Sequence, residues 1–131
     1  MAAVSDVDKP GIRVGVLEKS SADVLLSTSL KHASLVRTKA IDELYGAVAS
    51  GKADVIATGK PGLFAVAAKQ PGSRVLDGRI LVEPVAMGVP KGRGAAAAYV
   101  GRFVEDAKAD GQVKSAIERA GLRGVVVAPL Q

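Results

Sequence analysis

Cysteine is absent from this 131-residue chain, and aromatic side chains are scarce. Without cysteine there is no disulfide, no thiolate nucleophile and no zinc site of the cysteine type, so the redox compartment is left open. Tryptophan is also absent, and only two tyrosines and two phenylalanines occur. Because single-stranded nucleic acids bind to aromatic stacking platforms beside basic grooves, so few aromatics argue against a nucleic-acid interface.

No long apolar run occurs either. The opening residues have no apolar segment behind a basic stretch, and no run approaches the roughly 18 apolar residues of a membrane span. We therefore expect a soluble chain without a signal peptide.

The charge is mildly basic, with 18 Lys and Arg against 13 Asp and Glu. These basic residues are scattered among acids rather than gathered into a stripe, so no nucleic-acid partner is predicted.

Strands and helices alternate along most of the sequence. With 48% apolar and 24% charged residues, the chain can form one buried core. Alternating and continuous apolar runs predict strands, and apolar residues spaced by three and four predict helices. The predicted strands cover 12–17, 33–39, 53–59 and, briefly, 73–76; the helices cover 20–32, 41–48, 61–69 and two C-terminal segments that end at Gly111 and Gly121.

This order predicts an α/β fold, with an open and mostly parallel sheet covered by helices on both faces. Residues 82–90 form a further extended apolar stretch, and the C-terminal tail fits either a last strand or an apolar strap. Ligands of such sheets bind where the strands end and loops lead into helices. The loops to examine are therefore 17–21 and 57–61.

The sequence gives little support for a nucleotide-binding, catalytic or metal-binding site. Glycine and lysine occur together, but without the spacing of a phosphate-binding loop. His32 is interpreted as a capping or surface residue at the end of the first helix, and the acid pairs Asp6/Asp8 and Glu105/Asp106 as solvated charges. No serine elbow and no metal-ligand spacing is present. We therefore expect no enzyme activity, no metal and no cofactor.

Several separated blocks of the sequence resemble the later part of bacterial extracellular solute-binding proteins of the type 2 periplasmic class, the receptors of ABC importers. The match covers about residues 6 to 129. The blocks are "DVDKPGIRVGVLEKSSADVLLSTSLKHASLVRT", "GKADVIATGKPGLF", "PGSRVLDGR" and "AMGVPKGRGAAAAYVGRFVEDAKADGQVKSAIERAGL".

The resemblance implies how the chain is organised. In that family two α/β lobes, joined by hinge strands, close on a small solute. Within a single α/β domain, residues 12–82 match the second lobe, 83–90 a returning hinge strand, and 91–131 the C-terminal helices and tail. The first lobe is then missing, as in a fragment or a truncated form. The family resemblance also implies a periplasmic location.

The resemblance further implies which residues contact solute. Ser20, with Ser21 beside it, matches a Ser or Thr that holds a carboxylate at a helix N-terminus; an ordinary N-cap explains Ser20 equally well. Gly59 stands where amino-acid-binding members carry Asp, with Thr58 and Lys60 on either side. Lys60 favours an anionic group, or it is a solvated loop charge.

Two functions from different classes follow. The first is the solute-binding component of an ABC importer, which takes a small polar solute and meets the transporter's membrane subunits once the first lobe is supplied. The second is a non-catalytic interaction module without solute. We also expect a homodimer, because an apolar stripe on the first C-terminal helix lacks its covering lobe. That stripe consists of Tyr99, Val100, Phe103 and Val104.

Overall fold

The chain divides into two units, Met1–Val82 and Glu83–Gln131. A three-stranded parallel sheet lies in the first unit. The computed structural model describes all 131 residues. Strand β1 lies between β2 and β3, and Val16 of β1 is opposite Arg37 and Ala57. The predicted parallel sheet is thus confirmed. The strands are β1 (Arg13–Leu17), β2 (Ser34–Thr38) and β3 (Val55–Ala57).

Helices cover both faces of this sheet. On one face, the buried Val14 and Val16 form the core with Ala22 and Leu26 of the first helix. On the other face, a Cβ atom placed on Gly15 would lie 3.2 Å from Leu44 of the second helix, so that helix packs closely against a residue without a side chain. The predicted covering of both faces is confirmed. The helices of this unit are α1 (Ser21–Ser29), α2 (Ile41–Gly46) and α3 (Lys60–Lys69).

Asp8 ends the first helix earlier than the sequence predicts. Leu30 is extended, with φ −70° and ψ 136°, so α1 stops at Ser29 instead of residue 32. The next three backbone N–H groups then donate to the Asp8 carboxylate, from Lys31 at 3.0 Å, His32 at 2.8 Å and Ala33 at 2.9 Å. The interpretation of Asp8 as a solvated charge was therefore wrong. His32 is exposed, but it lies beyond the helix rather than in its last turn.

Acid should unfold the chain as two carboxylates become protonated. Hydrogen bonds from the backbone of Ala33, His32 and Lys31 lower the pKa of Asp8 to about 2. The Arg13 guanidinium and backbone lower the pKa of Asp54 to about 2 as well. A depressed folded-state pKa contributes stability above the ordinary carboxyl pKa of 3.8, and this stability is lost as the pH falls toward 2.

We expect the free energy of unfolding, measured by urea titration, to fall between about pH 4 and pH 2. The Asp8→Asn variant should be less stable at neutral pH and lose part of this slope. Asp77→Asn is the matched control, because Asp77 is exposed and its side chain accepts no hydrogen bond. An equal slope in Asp8→Asn and wild type would contradict the assignment.

The second unit contains the predicted helix pair, α4 (Gly94–Ala109) and α5 (Gln112–Arg119). Gly111 separates the helices with φ 84°, a left-handed conformation that favours glycine. Lys108 Nζ donates to the Pro129 carbonyl at 2.8 Å, and the Gln131 N–H donates to Glu105 at 3.0 Å. The tail is therefore a strap along α4 and not a strand. No helix of the chain has the length and apolar character needed to cross a membrane.

Two predicted strands do not form. Residues 73–76 are followed by a single isolated bridge, between Ala3 and Asp77, and residues 83–90 contain no strand. The side chain of Val85 is 97% exposed. An extended apolar segment becomes a strand only where a neighbouring strand accepts its backbone hydrogen bonds, and these residues have none. The division between the units falls at Val82–Glu83, where the segment matched to the second lobe ends.

Candidate functional site

The two loops selected from the sequence leave the same edge of the sheet. Strand β1 ends at Leu17 and β3 at Ala57, and the two strands run parallel with Val16 opposite Ala57. Loops 17–21 and 57–61 therefore begin side by side and lead into α1 and α3. We call this end of the sheet, where β1, β2 and β3 finish, the carboxyl edge.

Ser20 is the N-cap of α1. Its Oγ accepts from the Asp23 N–H at 3.2 Å, and its own N–H donates to the Leu17 carbonyl at 3.1 Å. The N-cap interpretation is thus correct. The capping bond uses the hydroxyl oxygen of Ser20 only as an acceptor. The Oγ–H remains a potential donor from a half-buried position, and the exposed Ser21 follows it as the first residue of the helix.

Helix α3 begins without a side-chain cap. Its N-cap is Gly59, and the second residue of the helix is Pro61, which has no N–H. The N–H groups of Lys60 and Gly62 are the donors of its first turn, and such donors have no acceptor within a helix. The half-buried Thr58 precedes them, and no intramolecular hydrogen bond fixes its hydroxyl. Two helix N-termini, each with partial positive charge, thus meet the carboxyl edge.

The charges of the two loops are unequal. Lys19 and Lys60 are present against a single acid, Glu18. Neither lysine forms an ion pair; the pairs in the chain involve Lys9, Arg13, Arg37, Lys108 and Lys114. Free ammonium groups beside two helix N-termini favour an anion over a cation.

Two residues near this edge, Asp23 and Arg37, were not predicted from the sequence as part of the site. Asp23 is buried at 7% exposure, and its pKa is lowered mainly by a hydrogen bond from the Lys19 backbone, with further contributions from Ser27 and Arg37. The Ser20-x-x-Asp23 spacing is typical of a helix start, which gives Asp23 no role in a ligand site. Nothing local indicated Arg37, whose partner lies 14 residues earlier in the chain.

Two depressions of the surface lack the predicted site residues. One of about 270 Å³ lies between α2 and α3, and one of about 340 Å³ lies along α4 and α5. None of the four predicted site residues lines either depression. No group of three or more His, Asp or Glu side chains is placed to hold a metal ion. The first depression is lined by Tyr45, Gly46, Ala65, Val66, Lys69 and Gln70.

A solved structure has a fold similar to that of this chain. No protein-family model and no curated protein matches the chain. A crystal structure of an ancestral cyclohexadienyl dehydratase matches with 25% sequence identity and a TM-score of 0.50, over 91% of this chain and 50% of that chain. The α/β fold of the chain resembles part of this structure, which has the type 2 periplasmic binding protein fold. The chain spans about half the length of the dehydratase.

This similarity corrects one expectation. The sequence predicted no enzyme activity, but the structure that the chain resembles is that of an enzyme. The missing thiolate, serine elbow and metal cluster exclude only the mechanisms that use those groups. The same fold carries both binding and catalysis, so its presence does not exclude an enzyme. The prediction of a protein without enzyme activity was wrong.

Proposed function

We propose that the chain is the second-lobe part of a type 2 solute-binding protein and that it binds a small anionic solute at the carboxyl edge. One observation carries the proposal. The parallel register brings loops 17–21 and 57–61 together at one edge of the sheet. The fold of the chain also resembles that of a solved protein of the type 2 class. Ligands of open α/β sheets bind at such edges.

Each residue of the site has a physical role in this proposal. The hydroxyls of Ser20 and Thr58 donate hydrogen bonds, and Ser21 adds the helix N-terminus. Lys60 supplies a positive charge one residue after Gly59, the N-cap of α3. Carboxylates and sulfonates suit such donors, because each oxygen accepts from a different N–H or O–H group. A free amino acid fits less well, since Gly59 offers no carboxylate to its ammonium group.

The cleft is proposed to need a second wall. The chain matches half of the dehydratase, and small solutes bind tightly only when most of their surface is buried. We propose that a first lobe outside this chain covers the carboxyl edge, and that the assembled protein delivers its solute to an ABC importer from the periplasm. The 131-residue chain alone then binds weakly.

Calorimetric titration with succinate tests the site. Wild type should bind with a dissociation constant on the order of millimolar, because one wall buries little of the ligand. Lys60→Gln should weaken binding by about two- to fivefold, the range expected for one charge that stays accessible to water. Lys52→Gln is the control with the same charge change, since Lys52 precedes β3 and lies at the opposite end of that strand.

Two results would contradict the proposal. Equal affinities of Lys60→Gln and Lys52→Gln would show that the ligand does not bind at the carboxyl edge. A micromolar constant for a monomeric wild type would show that the site needs no second wall. Glutamate and ethanesulfonate, titrated in parallel, compare amino acids and sulfonates with the dicarboxylate.

A further inference from the structure

Lys19, in the loop between β1 and α1, has an uncommon backbone conformation. Its φ is 63°, and it is the only residue other than glycine with a positive φ. A side chain with a Cβ atom is rarely stable in this left-handed region unless surrounding contacts hold it there. Because Lys19 immediately precedes Ser20, its φ and ψ set the direction in which the Ser20 hydroxyl points.

A chain of hydrogen bonds from β2 holds this conformation. The Lys19 N–H donates to Asp23 Oδ2 at 2.9 Å. Asp23 Oδ1 accepts from Arg37 Nε at 2.8 Å and from the Ser27 hydroxyl at 3.2 Å. Arg37 Nη2 also donates to Ser27 Oγ at 2.7 Å. We call Asp23, Ser27 and Arg37 the Asp23 network.

The guanidinium of Arg37 is the counter-ion of the buried Asp23 carboxylate in this network. A buried carboxylate that loses its counter-ion is strongly disfavoured and turns toward water or becomes protonated. Either change weakens the acceptor of the Lys19 N–H. Residue 19 would then relax toward negative φ, and the loop would move the Ser20 hydroxyl and the Lys19 ammonium away from their places at the carboxyl edge.

We propose that Asp23 and Arg37 are positioning residues of the solute site: they hold residue 19 in its left-handed conformation and so direct the donors of loop 17–21. This inference rests on the proposed function, but its first readout needs no ligand. In the full chain, the intraresidue NOE between the amide and α protons of residue 19 reports its φ, because these two protons are closer together at positive φ than at negative φ. Arg37→Met should weaken this NOE, and Arg37→Lys, which keeps the charge, should weaken it less.

Arg13→Met is the matched control. Arg13 makes an ion pair of similar kind with Asp54, at 2.9 Å, and lies at the start of β1 on the opposite edge of the sheet. It should lower the melting temperature without changing the intraresidue NOE of residue 19. An unchanged NOE in Arg37→Met, or an equal change in Arg13→Met, would overturn the positioning role.

Succinate titration gives the second readout. Arg37→Met should weaken binding by about tenfold, because the donors are no longer held in place. Adding Lys19→Gly to Arg37→Met should restore part of that affinity, since glycine adopts positive φ without strain although the ammonium group is lost. Adding Lys19→Gln removes the same charge but not the strain, so it should restore nothing.

The outcomes separate the two proposals. Equal affinity of the Lys19→Gly and Lys19→Gln double variants would overturn the positioning role, because a general loss of stability would affect both alike. If wild type itself shows no succinate binding, the proposed function fails and the positioning role for a solute site fails with it. The intraresidue NOE of residue 19 then still decides whether Arg37 holds the loop.

Discussion

Phe103→Glu should convert the chain from a homodimer into a monomer. We propose that the chain self-associates through the stripe on α4 formed by Tyr99, Val100, Phe103 and Val104. Tyr99 is 66% exposed and Phe103 49% exposed, while the two valines are half-buried. An exposed apolar patch of this kind on one helix face is typical of an interface, and two-fold pairing is the commonest closed arrangement.

A glutamate in the middle of this stripe would bury an unpaired charge in the dimer. Loss of a central aromatic residue alone typically weakens an interface by about 2 kcal/mol or more, so the dimer dissociation constant should rise at least ~30-fold. Sedimentation equilibrium across a tenfold dilution series measures this change. Arg102→Gln is the control, because it alters the net charge equally at an exposed neighbouring position. A wild type that remains monomeric at tens of micromolar would refute the interface.

Leu44→Ala should cause the largest loss of stability. Leu44 is 0% exposed and packs against Gly15 on the face of the sheet opposite α1. Removing a buried leucine side chain costs about 2–5 kcal/mol, since the apolar contacts are lost and a cavity remains. Helix α2 has only six residues, so this one side chain is its main attachment to the sheet.

Thermal unfolding followed by circular dichroism should show a melting temperature roughly 10 °C or more below that of wild type. Val24→Ala removes methyl groups from a valine of α1 that is 65% exposed and should change the melting temperature by little. If both variants lose the same stability, α2 is not packed on the sheet as described, and the covering of both faces would need revision.

Local sequence patterns predicted the parts of the fold that depend on local physics. Strands β1, β2 and β3 were predicted because apolar runs between turn residues are typical of buried parallel strands. The start of α1 was predicted at Ser20 with an N-cap interpretation, and the observed bond from the Asp23 N–H to Ser20 Oγ agrees with it. The placement of loops 17–21 and 57–61 at one edge followed from the strand and helix order alone.

The missed features depend on partners far along the chain. Asp8 receives N–H groups from residues up to 25 positions later, and Arg37 reaches back to Asp23, so neither has a local signature. Residues 83–90 have the composition of a strand, but strand formation requires a neighbour that composition does not reveal. The question of catalysis also lay beyond the sequence, because one fold serves both solute receptors and a dehydratase.

The most direct test of the solute site is an NMR titration of the isotope-labelled wild-type chain with succinate. If the carboxyl edge binds the solute, the largest amide shifts should fall on residues 17–21 and 57–61, with Ser20, Ser21 and Lys60 among them. All these shifts should follow one saturation curve in the millimolar range, as a single weak site requires. Shifts confined to the depression around Tyr45 and Lys69, or no saturable shifts at the carboxyl edge, would contradict the account.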